Sequence, residues 1–191
     1  MGGVRMLQGK KINLRVIENE DFELYAEWLN DPNFIGEYVF NRQRSIVEIQ
    51  KGFSDRSPDW VTFMIEKKDG KKIGTATHFS TKFGSYAEVQ EIGYVVMPNE
   101  RGKGYTTEAV GLLVDYLFLL KDIQRIQALI NEDNTPSKRV LEKNGFKMEG
   151  ILRKLAFMVG KHTDTALYSI IRDDWEEPKI LQHLGSKEQK Q

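Results

Sequence analysis

The stretch that most constrains this chain is YVVMPNERGKGYTTEAV, Tyr94 to Val110. An apolar, strand-like run ends at Met97-Pro98, passes two glycines and two basic residues, and enters a helix-like apolar pattern. A plain turn needs one glycine and no particular charge. A strand that feeds a helix through Gly102 and Gly104 instead presents successive backbone N–H groups at the positive end of a helix dipole, which is an anion site. Glycine at both positions removes side chains that would block a phosphate. Arg101 and Lys103 add positive charge. Two common phosphate loops are excluded by spacing. The G-x-x-x-x-G-K-[ST] pattern is absent, and G-x-G-x-x-G fails because Thr107 stands where the third glycine belongs.

The rest of the chain reads as a scaffold for that loop. Residues 10–17 (KKINLRVI) alternate as a strand, and 19–31 carry Phe22, Leu24, Tyr25, Trp28 and Leu29 at helical spacing until Asp31-Pro32 stops them. A helix is expected from Ser45 to Phe53. Two strands, 60–68 and 71–80, meet at Asp69-Gly70, a hairpin signal. Residues 87–96 form the strand before the loop, and 106–120 a helix with Ala109, Leu113, Tyr116, Leu117 and Leu120 on its inner face. A strand at 123–131 follows. The segment 135–145 has Thr135 at the N-cap, Pro136 at the first helical position and Gly145 at the stop. Two strands across 146–175 turn near Gly160-Lys161, and the tail from 176 is polar. This pattern is α/β (α+β), a mixed, mostly antiparallel sheet flanked by helices, forming one domain over residues 1–191 with its core at about 8–175.

Composition removes several classes of function. Lys plus Arg equals Asp plus Glu at 28 each, so the basic excess of a general polyanion binder is missing and no direct nucleic-acid binding is expected. No apolar run reaches 18 residues, so no membrane role is expected and the cytoplasm is the default location. Zero cysteines close any route through an enzyme thioester. The three histidines lie far apart without ligand spacing, so no metal is expected.

Four stretches in order resemble the GNAT superfamily of acyl-CoA-dependent N-acetyltransferases, and within it the RimJ/RimL-type branch that acetylates ribosomal-protein N-termini. Arg101-Gly102-Lys103-Gly104-Tyr105-Thr106 matches the [Q/R]-x-x-G-x-[G/A] signature except at Thr106. VQEIGY at 89–94 matches the branch's EIGY strand. Asn134-Thr135-Pro136-Ser137 matches Asn-x-x-Ser, before a helix ending in Asn144-Gly145-Phe146. The last match is carried by Glu149, Gly150, Arg153, Phe157, Gly160, Asp164 and Leu167 to Ile171. The resemblance implies acetyl-CoA as cofactor. Its pyrophosphate would be cradled by N–H groups of Arg101, Gly102, Lys103, Gly104, Tyr105 and Thr106. Its pantetheine would meet the backbone of Tyr94, Val95 and Val96, with Asn134 nearby.

Acetyl transfer to an amine needs a base, a held carbonyl, an oxyanion donor and an acid for the departing thiolate. Strand alternation puts Glu91, Gly93 and Val95 on one face, which makes Glu91 the candidate base. Its alternative reading is a strand carboxylate paired with a lysine. The Asn-x-x-Ser analogy makes Ser137 the candidate acid, against a first-turn serine bonding its own backbone. Tyr94 and Tyr105 are read as packing residues. Phe34, Tyr38, Phe40, Phe53 and Trp60, interleaved with Arg42, Arg44 and Arg56, are read either as core and solvated charges or as the acceptor wall. The expected acceptor is a peptide or protein N-terminal amine. The alternatives are a small amine such as a polyamine, amino acid or antibiotic, or a non-catalytic acyl-CoA-binding module. The family resemblance makes a homodimer plausible.

Overall fold

A computed structural model describes residues 6–39, 42–83, 85, 87–176 and 178. Among these residues, strands β1 (Met6–Gln8), β2 (Ile12–Val16), β3 (Val61–Lys67), β4 (Lys72–Phe83), β5 (Ala87–Val96), β6 (Arg125–Asn131), β7 (Lys147–Met158) and β8 (Lys161–Ile171) form one sheet. Its order is β1-β2-β3-β4-β5-β6-β8-β7. Neighbours are antiparallel except β5 and β6, which are parallel. That parallel pair requires a crossover, and α4 (Tyr105–Leu120) supplies it. The remaining helices are α1 (Phe22–Asn30), α2 (Pro32–Ile35), α3 (Ile46–Ser54) and α5 (Thr135–Glu142). Phe40, read from sequence as part of the acceptor region, lies outside the described residues.

The two faces of the sheet are covered by different helices. On one face Ile92 and Val96 of β5 pack with Ala109, Val110, Leu113 and Leu117 of α4 and Leu141 of α5. Each such fully buried aliphatic side chain contributes about 1.5–3 kcal/mol relative to exposure. On the other face Met64 of β3 and Val95 of β5 pack with Trp28 of α1 and with Phe34 and Ile35 of α2. Successive β5 side chains therefore alternate between the two sides, as a strand buried on both faces must.

A buried ion network fixes the entry to α1. Arg15 of β2 donates to Asp21 at 2.8 and 2.9 Å and to Glu66 Oε1 at 2.8 Å, and Lys72 also reaches Asp21. Asp21 is fully buried. Burial alone would raise its pKa, but hydrogen bonds from Arg15 and Lys72 overcome that cost and hold it at about 2.

The differences from the sequence reading are local. β1 and α2 are short elements whose sequences carry too few residues for a periodic signal. Leu120, assigned to the inner face of the long helix, is 62% exposed because it lies past the end of the packed stripe. The N-cap of α5 is Asn134, not Thr135, since Asn134 Oδ1 accepts from Ser137 N at 3.1 Å. No described helix is long and apolar enough to cross a membrane.

Candidate active site

The site begins with a gap in the sheet. β5 and β6 pair only at Gln90 with Ile126 and at Glu91 with Gln127, although β5 runs on to Val96 and β6 to Asn131. Past Glu91 the two strands part, and Gly93 to Val96 face the opening along one edge. Tyr94, Val95 and Val96 thus lie where the sequence reading put them, on the strand that borders the opening. Val96 O accepts from Arg101 Nε at 3.0 Å.

The glycine loop closes the open end of that gap. Gly102 and Gly104 adopt φ of 75° and 84°, the left-handed region, and Gly104 is the N-cap of α4. A Cβ at Gly102 would meet nothing within 4 Å, so the space beside Gly102 is open. The first α-helical backbone bond runs from Glu108 N to Gly104 O at 3.1 Å, leaving the N–H groups of Tyr105, Thr106 and Thr107 as first-turn donors. Thr106 keeps its N–H in that set, so its departure from the signature leaves the donor in place.

The side chains of the loop act differently from the sequence reading. Arg101 and Lys103 were expected to add charge to the anion site. Arg101 instead ties the loop to its surroundings, donating through Nη2 to Phe34 O at 2.9 Å as well as to Val96 O. Lys103 pairs with Glu100 at 2.9 Å, and Glu100 also pairs with Lys71. These lysines hold the Glu100 carboxyl down at about 2. A lysine missed from sequence lies closer to the loop. Lys11 Nζ donates to Lys103 O at 3.1 Å and would sit 3.4 Å from a Cβ at Gly104, while its backbone N–H donates to Glu108 at 2.9 Å. Nothing local marks Lys11, which is 92 residues from its loop partner.

At the closed end of the gap Glu91 shares a sheet face with Gly93 and Val95. Its Oε2 accepts from Gln127 Nε2 at 3.0 Å, and Gln127 is 1% exposed. Burial raises the Glu91 pKa above the ordinary carboxylate value, while the Gln127 bond lowers it less. No lysine or arginine pairs with Glu91 among the described ion pairs, so its partner is an amide rather than the lysine of the alternative reading.

Ser137 stands across the gap in the first turn of α5, 7% exposed. Its Oγ lies 2.7 Å from the Tyr94 hydroxyl, so Tyr94, read from sequence as a packing residue, holds the serine. Burial pushes the Tyr94 phenol up to about 12, with the Ser137 contact lowering it slightly, so it stays protonated. Asn134 spends its carbonyl oxygen on capping α5, which positions Ser137 without itself reaching across the gap. Tyr105 is partly buried against the core, as expected. Asn144, of the Asn-Gly-Phe stretch, donates to Thr107 O at 3.1 Å and to Val140 O at 2.8 Å, bolting α5 to the start of α4.

The face that carries Glu91 has a second group of side chains. Phe79 is the cross-strand partner of Glu91, and its ring stacks on Trp60 at 4.6 Å. Arg56 lies 4.8 Å over Trp60 and 3.8 Å over Phe53, and donates to Thr62 Oγ1 at 3.1 Å. Phe34, by contrast, is core, stacked on Trp28 at 4.8 Å. Phe79 and Gln127 were not singled out from sequence, because strand register alone brings them to Glu91. His78 is 1% exposed, with Nδ1 at 3.1 Å from Gln90, and burial lowers its pKa, which makes it a neutral core residue. Among the described residues no group of three His, Cys, Asp or Glu could hold a metal.

A strand pair thus parts beside a glycine loop and a half-buried carboxylate, and the family comparison says what such a chain belongs to. The acetyltransferase (GNAT) domain matches residues 11–147, and the chain belongs to the GNAT acetyltransferase family. Among relatives, Probable N-acetyltransferase YjcK of Bacillus subtilis is 31% identical over 186 residues, spanning 90% of this chain and 100% of that protein. Among solved structures, Mycobacterium smegmatis RimJ in complex with CoA-disulfide has a TM-score of 0.77 at 24% identity, covering 97% of this chain and 93% of that one. Spermidine N-acetyltransferase from Vibrio cholerae, in complex with CoA and spermine, also reaches 0.77, at 20% identity, covering 87% and 98%.

Proposed function

We propose that this chain transfers acetyl from acetyl-CoA to the α-amino group of a peptide or protein N-terminus, by direct attack in a ternary complex. The observation that carries this reading is one gap with unpaired loop N–H groups at its open end and a carboxylate of raised pKa at its closed end. The likeness to RimJ and the EIGY and Asn-x-x-Ser stretches support the N-terminal acceptor. The open space beside Gly102 would take the phosphates of coenzyme A, with Lys11 as an added cation for them. Bound there, it supplies the acetyl group as an activated thioester.

The residues divide the remaining work between the two faces. Glu91 Oε2 takes a proton from the acceptor ammonium, and its raised pKa makes it a better base than an ordinary carboxylate. Gln127 fixes the direction of that carboxylate. On the other face the Tyr94 hydroxyl, 2.7 Å from Ser137 Oγ, holds the serine, and with Tyr94 as donor in that pair the serine proton meets the departing sulfur. Gly102 to Thr106 hold the pyrophosphate through backbone N–H groups, since the Arg101 N–H is spent on Pro98 O at 3.3 Å, and the edge of β5 from Tyr94 to Val96 takes the pantetheine.

Free-thiol release from acetyl-CoA against peptides with free N-termini, spermidine, amino acids and aminoglycosides tests this reading. Release with peptides and none with small amines supports it. Saturable coenzyme A binding with no release for any acceptor would return the non-catalytic module. A polyamine acceptor is the second reading, favoured by the fold likeness to the spermidine enzyme. A cytoplasmic location and a homodimer accompany the first reading from the family resemblance, to be read by fractionation and sedimentation.

A further inference from the structure

Arg56 is a half-buried guanidinium without an acidic partner among the described residues. Asp59 pairs with Lys121 and Glu48 with Arg42, and Asp55, next to Arg56 in sequence, forms no described ion pair with it. Arg56 donates to the Thr62 hydroxyl, also meets the Tyr25 phenol, and stacks its plane on Phe53 and Trp60. Arg44, also outside the described ion pairs, adds a second positive field to it. Withdrawing a guanidinium from water without a counter-ion is costly, and two neutral hydroxyl partners leave several of its five donors for an external acid.

Its place relative to Glu91 is set by strand register. Thr62 pairs with Thr77, and Thr77 with Gly93, one position along the same face from Glu91. Two strand spacings across and one same-face step along β5 separate Arg56's anchor from Glu91, so guanidinium and carboxylate are roughly 12 Å apart. The stacked Trp60 and Phe79 rings form a shelf between them. About three residues of extended peptide span that distance. A free amino acid does not, because its amine and carboxylate share one Cα. A polyamine reaching from Glu91 would bring its next cation against Arg56.

We propose that Arg56 sets acceptor specificity, taking a carboxylate borne by the second or third residue of the acceptor peptide while the first residue's amine reaches Glu91. This deepens the proposed acetyl transfer and rests on it. The acceptor is then an N-terminus with an acidic residue close behind, rather than a basic one or a polyamine.

The test uses three peptides that differ only at positions two and three, carrying Glu-Asp, Gln-Asn or Lys-Lys, beside spermidine, with thiol release as readout. Wild type should favour the acidic over the basic peptide by at least about tenfold in kcat/KM, mostly through KM, and added salt should shrink the ratio. Arg56→Met keeps the stem over Phe53 and should collapse the ratio; Arg56→Glu should invert it. Circular dichroism verifies that both variants are folded. Spermidine or the basic peptide as best acceptor, or an unchanged ratio in two folded variants, would overturn the assignment. Anisotropy of the labelled acidic peptide on coenzyme A-loaded protein separates the two ideas. Binding that Arg56→Glu weakens, without thiol release, sinks acetyl transfer and keeps Arg56; release without charge preference does the reverse.

Discussion

The loop at residues 98–105 spends its side chains on holding itself in place, with Arg101 on two carbonyls and Lys103 on Glu100, and leaves the backbone N–H groups from Gly102 onward for a ligand. The wall around Glu91 does the opposite. There the backbone is consumed by the β3–β4–β5 ladder, and side chains from Arg56, Trp60, Phe79 and Glu91 face the site. A backbone cradle recognises what every cofactor molecule shares. A side-chain wall can change with each substitution, so one fold can keep its cofactor while its acceptors vary.

The sharpest way to break this comparison is at the loop. Gly104→Glu puts a charged side chain at φ 84° and an anion on the concave side, and should abolish coenzyme A binding in calorimetry. Full binding by this variant would show that backbone geometry is not what holds the cofactor.

On the wall, Glu91→Gln should lower kcat by about 10²–10⁴-fold and erase the acid limb of the pH profile. The wild-type limb follows from the sign of the shift, since activity falls as pH drops through the raised Glu91 pKa. The same shift acts oppositely on stability. The folded state holds the proton more tightly than the unfolded chain, so stability is lost as pH rises through that window. Glu91→Gln should therefore melt higher than wild type at pH 8. A variant with unchanged kcat would remove Glu91 from the chemistry.

Asp21 tests whether the wall depends on its footing. Asp21→Ala leaves the buried Arg15 with Glu66 as its only acid and should cost about 3 kcal/mol in denaturant melts. In wild type the Asp21 contribution is full above its ordinary value of 3.8 and is lost as pH falls toward about 2, so acid unfolding should begin in that window. The smallest effect is expected from Tyr94→Phe, which leaves Ser137 in place but unheld. A loss of about tenfold in kcat with little change in KM, corresponding to one hydrogen bond, would sharpen the division of labour between the faces.

What could be read in advance follows the same divide. Gly102, Gly104 and the helix behind them are contiguous, so the strand-to-helix passage and its N–H donors were legible in eight consecutive residues. Glu91 was placed on the correct face by alternation alone. Gln127, Phe79 and Thr77 gather around that face from strands up to 50 residues apart, through pairings that leave no local mark. Lys11 reaches the loop because Glu108 captures its backbone N–H, a tertiary event. Arg56 was visible as one of three arginines among aromatics, but only the structure shows it stacked on Phe53 and Trp60 with no acid paired to it among the described residues.

The parting of β5 from β6 has a consequence in time as well as in space. Backbone amides of β5 that turn toward the opening have no strand to lock them, while those that turn toward β4 do. Deuterium should therefore enter Ile92 to Val96 in an alternating pattern, fast and slow, within a strand that looks uniform. A ligand lying along the gap would act as a temporary ninth strand, and the alternation should vanish for as long as it stays.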